Sequence, residues 1–189
     1  MAEFVYVDNS NVFIEGQRVS AVSKGMAMNI FDAINNRVLD FSYRLDFGKL
    51  HEFVAGNDPS KISRAMLFGS RPPKNDSLWK LAESAGFEVV VEDRNLCNKE
   101  KKIDTGIVAA MTRDAYTKAK KDKDVITLVA GDGDYVPAIK QLKDDGYNVE
   151  LVFWNHAAGE LKKACSRFVS LDKYLKYLAV PDSVQANRS

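Results

Sequence analysis

The sequence predicts an α/β fold, a doubly wound and mainly parallel sheet of five to six strands in a single domain. Short apolar runs bounded by turn residues alternate with longer stretches of helical period, the pattern of a parallel sheet covered on both faces. Two of the helical stretches close on Gly86 and Gly146, the residues expected at left-handed helix caps. At 189 residues and 46% hydrophobic content, the chain can fill one core and falls short of two independent domains.

In chain order, strands are expected at Phe4 to Val7, Ala65 to Phe68, Glu88 to Val91, Val125 to Val129 and Val149 to Phe153, with a short sixth from Phe168 to Ser170. Between them, Asn75 to Ala85 places Leu78, Leu81, Ala82 and Ala85 at helical spacing. Asp104 to Ala119 and Tyr135 to Asp145 read the same way. The stretch from about 16 to 56 is expected to be a helical insertion. In it Ile30, Ile34, Val38 and Phe41 suit one helical face, and Phe47, Leu50, Phe53 and Val54 a second short helix. Covering the sheet and extending a substrate groove are both compatible with that stretch. The domain is expected to span 1–180, and the small, polar residues 181–189 to form a disordered tail.

Lys+Arg 27 against Asp+Glu 26 leaves a formal charge of +1, so contact with a polyanion must be local rather than driven by a global basic field. Cys97 and Cys165 lack C-x-x-C spacing, and the start of the chain shows neither a basic leader nor an apolar signal core, which suits a reducing cytoplasm. No apolar stretch approaches the roughly 20 residues that cross a bilayer.

Four carboxylates are expected at one edge of the sheet. Asp8 ends the first strand in Val-Tyr-Val-Asp8-Asn9-Ser10-Asn11, and Asp132 and Asp134 follow the strand Ile-Thr-Leu-Val-Ala in Gly131-Asp132-Gly133-Asp134-Tyr135. Asp104 is expected where the central helix begins, aimed into the same crevice. Two unit charges about 4 Å apart repel by roughly 4 kcal/mol at an effective dielectric near 20, so such a group calls for a counter-cation. Oxygen ligands favour Mg²⁺ or Mn²⁺, typically held by one or two carboxylates together with waters and phosphate oxygens. The chemistry that follows is in-line hydrolysis of a phosphodiester. Each residue also has a purely structural alternative: Asp134 and Asp104 as helix N-caps, and Asp8 as the organiser of a turn beside Asn9 and Asn11.

These residues resemble the NYN domains, a branch of the PIN-like metal-dependent nucleases. The resemblance rests on Val7-Asp8-Asn9-Ser10-Asn11, Lys102-Ile103-Asp104 and Gly131-Asp132-Gly133-Asp134-Tyr135, with Pro137, Leu142 and Gly146 leading into the strand at Val149. It spans about Phe4 to Asp172, apart from the insertion after Gly16. It implies a PIN-like sheet of order 3-2-1-4-5 and metal-dependent cleavage of RNA, single-stranded or structured, by Asp8, Asp104, Asp132 and Asp134, with Asn11 supporting the metal. Many members carry a further Asp about two turns after the one matching Asp104, where this chain has Ala110, and a Ser where it has Ala130.

Arg71 and Lys74 follow the second expected strand, and Arg94, Lys101 and Lys102 lie in the loop after the third. Both loops belong to the aspartate edge, where such side chains would contact phosphates without reading bases. Tyr135 reads as core, Trp154 as core or stacking platform, His156 as a turn residue and Cys165 as core. A haloacid dehalogenase-type phosphatase needs Asp-x-Asp after strand one, but Ser10 holds the second position. A von Willebrand-type adhesion module leaves Asp132 with Asp134 unexplained, and a non-catalytic RNA-binding domain of the same fold is the remaining alternative. Neither a P-loop nor a Rossmann glycine fingerprint is present.

Overall fold

The computed structural model describes residues 1–71, 77–93 and 99–181, with Arg71, Asp93 and residues 99–101 described by backbone alone. The elements are β1 (Glu3–Asp8), α1 (Asn9–Ser23), α2 (Ile30–Asn35), α3 (Phe47–Ala55), β2 (Ile62–Arg71), α4 (Ser77–Ser84), β3 (Glu88–Asp93) and α5 (Lys99–Thr117). They continue with β4 (Val125–Val129), a 3₁₀ turn (Gly133–Tyr135), α6 (Val136–Asp144), β5 (Asn148–Phe153), α7 (Gly159–Ala164), β6 (Arg167–Ser170) and a second 3₁₀ turn (Asp172–Tyr174).

The strands form one six-stranded sheet in the order β3-β2-β1-β4-β5-β6, and every neighbouring pair is parallel. Helices cover both faces, giving the doubly wound α/β architecture that the alternating pattern predicts, and the strand order is consistent with the PIN-like sheet that the resemblance implies, extended by β6. From β1 the chain winds outward to β3 and then returns to β4 on the other side of β1, so the topological switch lies between β1 and β4. Crevices outside the carboxyl ends of strands at such a switch are where ligands bind in open α/β sheets. Val7 stands opposite Val129. The chain segments that leave β1 and β4 at this edge are therefore neighbours.

Local chemistry accounts for these elements. The central strands β1 and β4 are almost continuous runs of buried residues, as strands covered on both faces must be. The turns after α4 and α6 place Gly86 and Gly146 at φ of 106° and 87°, where a side chain would be strained. One core unites both faces, with Phe4, Tyr6, Leu67, Ile107, Met111, Leu128, Ile139 and Trp154 among its fully buried members. Trp154 is core rather than platform, and its indole N–H donates to the Val12 carbonyl at 2.8 Å. Cys165 is buried as expected.

Several elements differ from the expectations. Helix α5 begins at Lys99, so Asp104 lies inside it and does not open it, and Lys101 and Lys102 belong to its first turns rather than to a loop. The reason is that Ile103 and Ile107 are both buried and sit one turn apart, which carries the apolar face of α5 to the N-terminal side of Asp104. Helix α2 ends at Asn35, which leaves Val38 and Phe41 outside it and Phe41 70% exposed. Arg37, in the left-handed region at φ 54°, stops the helix. Buried Asp40 then takes hydrogen bonds from the Ser20 and Ser42 hydroxyls, pinning the following turn against α1. Helix α1 itself starts directly after Asp8 and runs through Gly16. Lys74, Arg94 and Cys97, the start of the expected helix at Asn75, and nearly all of the expected tail lie outside the described residues. Among the described residues no helix is long and apolar enough to cross a membrane.

Candidate active site

The site begins with the last residue of β1. Asp8 is buried, and its extended backbone makes it the N-cap of α1, with Oδ1 accepting the Asn11 N–H at 3.1 Å. Capping and helix polarity both favour an ionised carboxylate at this position. Burial outweighs them: desolvation, opposed by the Asn11 N–H and reinforced by the negative charges of Asp104 and Asp132, pushes the Asp8 carboxyl up to about 6. Among the described residues no Lys, Arg or His is ion-paired with Asp8. A carboxyl of raised pKa is thus held at the switch point, within reach of the charges of Asp104 and Asp132.

Asp104 reaches Asp8 from α5, which packs on β1 and β2. The Tyr135 hydroxyl lies between the two carboxylates, 2.7 Å from Asp104 Oδ1 and 3.4 Å from Asp8 Oδ2. Tyr135 is itself fully buried. Its phenol is held far above its ordinary pKa by burial and by the charges of Asp8 and Asp104, so it stays protonated and acts as a donor.

The loop after β4 supplies the next acid. Asp132 is exposed and caps the 3₁₀ turn through the Asp134 N–H at 3.1 Å. Asp134 is also exposed; its backbone orders Asp132, and it does not cap α6, which starts at Val136 with Pro137 in its first turn and no side-chain cap. The loop is fastened on two sides. Asn11 Oδ1 accepts the Gly131 N–H at 3.0 Å, and the Gly131 carbonyl accepts the Ala158 N–H at 2.9 Å. A Cβ on Gly131 would stand 2.1 Å from the Phe153 ring, so only glycine lets the loop lie this close to β5. Gly131→Ala is expected to cost about 1–3 kcal/mol by overpacking. A urea midpoint measured for the variant checks this.

The structure therefore joins Asp8 to Asp104 through Tyr135, brings the charge of Asp132 to bear on Asp8, and leaves Asp134 at the surface. Among the described residues no three Asp, Glu, His or Cys side chains stand close enough to enclose a metal ion by themselves. The donor set suits an ion that takes one or two protein carboxylates and completes its shell with water and phosphate oxygens, as Mg²⁺ does. Lys102 is exposed on α5, two residues before Asp104, and Arg71 ends β2 at the same edge. His156 is paired with Glu15 of α1 at 2.7 Å.

The tyrosine hydroxyl escapes a reading of the sequence, which places Tyr135 in the core. The signal available there was a phenol, with its obligatory buried hydroxyl, immediately following two acids.

The model of the NYN domain matches residues 5–172, nearly the whole chain. The chain belongs to the NYN domain family. The NYN family is generally associated with metal-dependent ribonucleases and is usually dependent on divalent metals. Among solved structures, this NYN domain is similar to a protein of unknown function from Vibrio parahaemolyticus, with a TM-score of 0.65 and 18% identity over 95% of this chain and 96% of that one. At that identity the likeness shows the fold alone. No curated protein matches the chain significantly.

Proposed function

We propose that this NYN domain is a ribonuclease that hydrolyses RNA phosphodiester bonds at the carboxyl edge of β1 and β4, using Mg²⁺ or Mn²⁺ held by Asp8 and Asp104. Asp132 and Asp134 complete the site on the substrate side. The observation that supports this reading most is the buried Asp8 carboxyl, raised to about 6 while two further acids act on it or share a hydroxyl with it. A fold that forces acids together at a ligand-binding edge gains by taking up a cation there.

When bound, the ion supplies a water of lowered pKa and neutralises charge developing on the phosphoryl oxygens. The chain's own residues do the rest. Asp8 and Asp104 hold their oxygens at the bottom of the crevice, while Asn11 ties the Asp132 loop to the start of α1. Lys102, with Arg71, Lys74, Arg94 and Lys101, neutralises the phosphates of a strand lying along this edge without reading its bases. In the reaction a water oxygen gives up a proton and bonds to phosphorus, the P–O bond to the leaving oxygen breaks, and that oxygen takes a proton. A reducing, cytoplasmic setting suits two cysteines without C-x-x-C spacing.

Incubation of the purified protein with labelled single-stranded and structured RNA in Mg²⁺, Mn²⁺ or EDTA tests this directly. Cleavage that needs the ion is the expected result. A second reading, an RNA-binding domain without turnover, draws on Ala110, buried where many family members carry an acid, and on the exposed position of Asp134. Retention of RNA without cleavage under every condition would favour it.

Charge reversal of Lys101 and Lys102 is expected to weaken RNA binding while leaving metal binding intact. Each lost phosphate contact should flatten the dependence of log K on log salt by about 0.7 for a single strand. Filter binding between low and moderate salt measures that slope, and an unchanged slope would place the strand elsewhere.

A further inference from the structure

We infer that Tyr135 is a positioning residue for the metal site, its hydroxyl setting the two carboxylates that hold the ion. The inference rests on the reading of Asp8 and Asp104 as metal ligands and goes beyond it, because neither the phenol nor its neighbours in sequence need the hydroxyl for packing. The ring already fills the core beneath the 3₁₀ turn and is fully buried. A phenylalanine would occupy the same space and leave no orphaned hydroxyl. What the tyrosine adds is one buried donor, 2.7 Å from Asp104 Oδ1 and 3.4 Å from Asp8 Oδ2.

That placement has a geometric consequence. Asp8 comes from a strand and Asp104 from a helix interior, and the Tyr135 hydroxyl is a contact common to both carboxylates. The Asn11 N–H holds Asp8 Oδ1. The Tyr135 hydroxyl engages Asp104 Oδ1 and faces Asp8 Oδ2, so both carboxyl planes are referred to a single rigid point. Tyr135 also ends the 3₁₀ turn that Asp132 caps. The same residue therefore couples the loop carrying Asp132 to the pair below it. Outer partners that orient ligating carboxylates are commonly needed for about 10–100-fold of metal affinity.

The test is Mn²⁺ binding to wild type, Tyr135→Phe, Asp104→Asn and the double variant, read from the electron paramagnetic resonance signal of the free ion and needing no turnover. Thermal melts in EDTA establish that each variant is folded. Tyr135→Phe is expected to bind Mn²⁺ about 10–100-fold more weakly. In the Asp104→Asn background the same change is expected to add little, because its effect passes through Asp104. A folded Tyr135→Phe protein that binds Mn²⁺ as tightly as wild type, or more tightly, overturns the inference while leaving the metal site standing. Full additivity in the double variant overturns it as well, since the hydroxyl would then act through some other group. Wild type that binds no Mn²⁺ overturns the metal reading and this inference together.

Discussion

Asp8→Asn is expected to abolish RNA cleavage, by more than the 10–100-fold typical of losing an outer partner of a metal ligand, and at the same time to make the metal-free protein more stable near pH 8. The two effects have one cause. Asparagine keeps the shape of the side chain and can still accept the Asn11 N–H, so the cap of α1 survives. It removes the charge that burial and the neighbouring acids make unfavourable. Because the folded-state pKa of about 6 lies above the ordinary 3.8, the folded protein binds more protons than the unfolded chain between those values. Stability linked to Asp8 is thus fully present below about pH 4 and is lost as the pH rises through 6. The loss is on the order of 3 kcal/mol by pH 8, which Asp8→Asn should restore. Melting curves of both proteins in EDTA from pH 5 to 8, beside cleavage assays on one labelled RNA in Mn²⁺, measure both halves. If Asp8 did no more than order a turn, cleavage would persist in the variant.

The second large effect expected is stabilisation of the wild type by the ion. The charge held at Asp8, raised in cost by burial and by Asp104 and Asp132 nearby, is a cost of the folded state that a bound cation offsets, and an ion that binds only the folded state adds RT ln(1 + [L]/Kd). At an ion concentration about 100 times Kd this is roughly 2.7 kcal/mol. The gain should be largest near pH 8, where Asp8 is charged, and should shrink toward pH 5, where protons compete for it. Asp8→Asn should lose most of the gain. A wild-type melting temperature indifferent to millimolar Mg²⁺ and Mn²⁺ at pH 8 would remove the ground for a metal site.

Much of this protein is legible along the chain because a parallel α/β sheet writes its strands as short buried apolar runs and stops its helices with glycine. The six strands sit where those runs are, and Gly86 and Gly146 cap helices as expected. The family is legible too, since its acids lie in short motifs at the ends of strands β1 and β4. Two boundaries were not readable. Asp104 is a plausible cap by residue type, yet the apolar pair Ile103 and Ile107 carries α5 past it, because burial outweighs a local capping preference. Val38 and Phe41 fit a helical period that Arg37 interrupts.

What the sequence determines by itself is thus the doubly wound class, the family, and the set of acids at one edge, all of which follow from residue types at short spacing. What only the tertiary structure decides is how those acids differ. Burial at the switch point raises Asp8, the interior of α5 delivers Asp104 to it, and a core tyrosine places its hydroxyl between the two, while Asp132 and Asp134 remain exposed on the loop after β4. These distinctions depend on desolvation and on contacts between residues as far apart in the chain as Asp8 and Tyr135, neither of which any local pattern encodes.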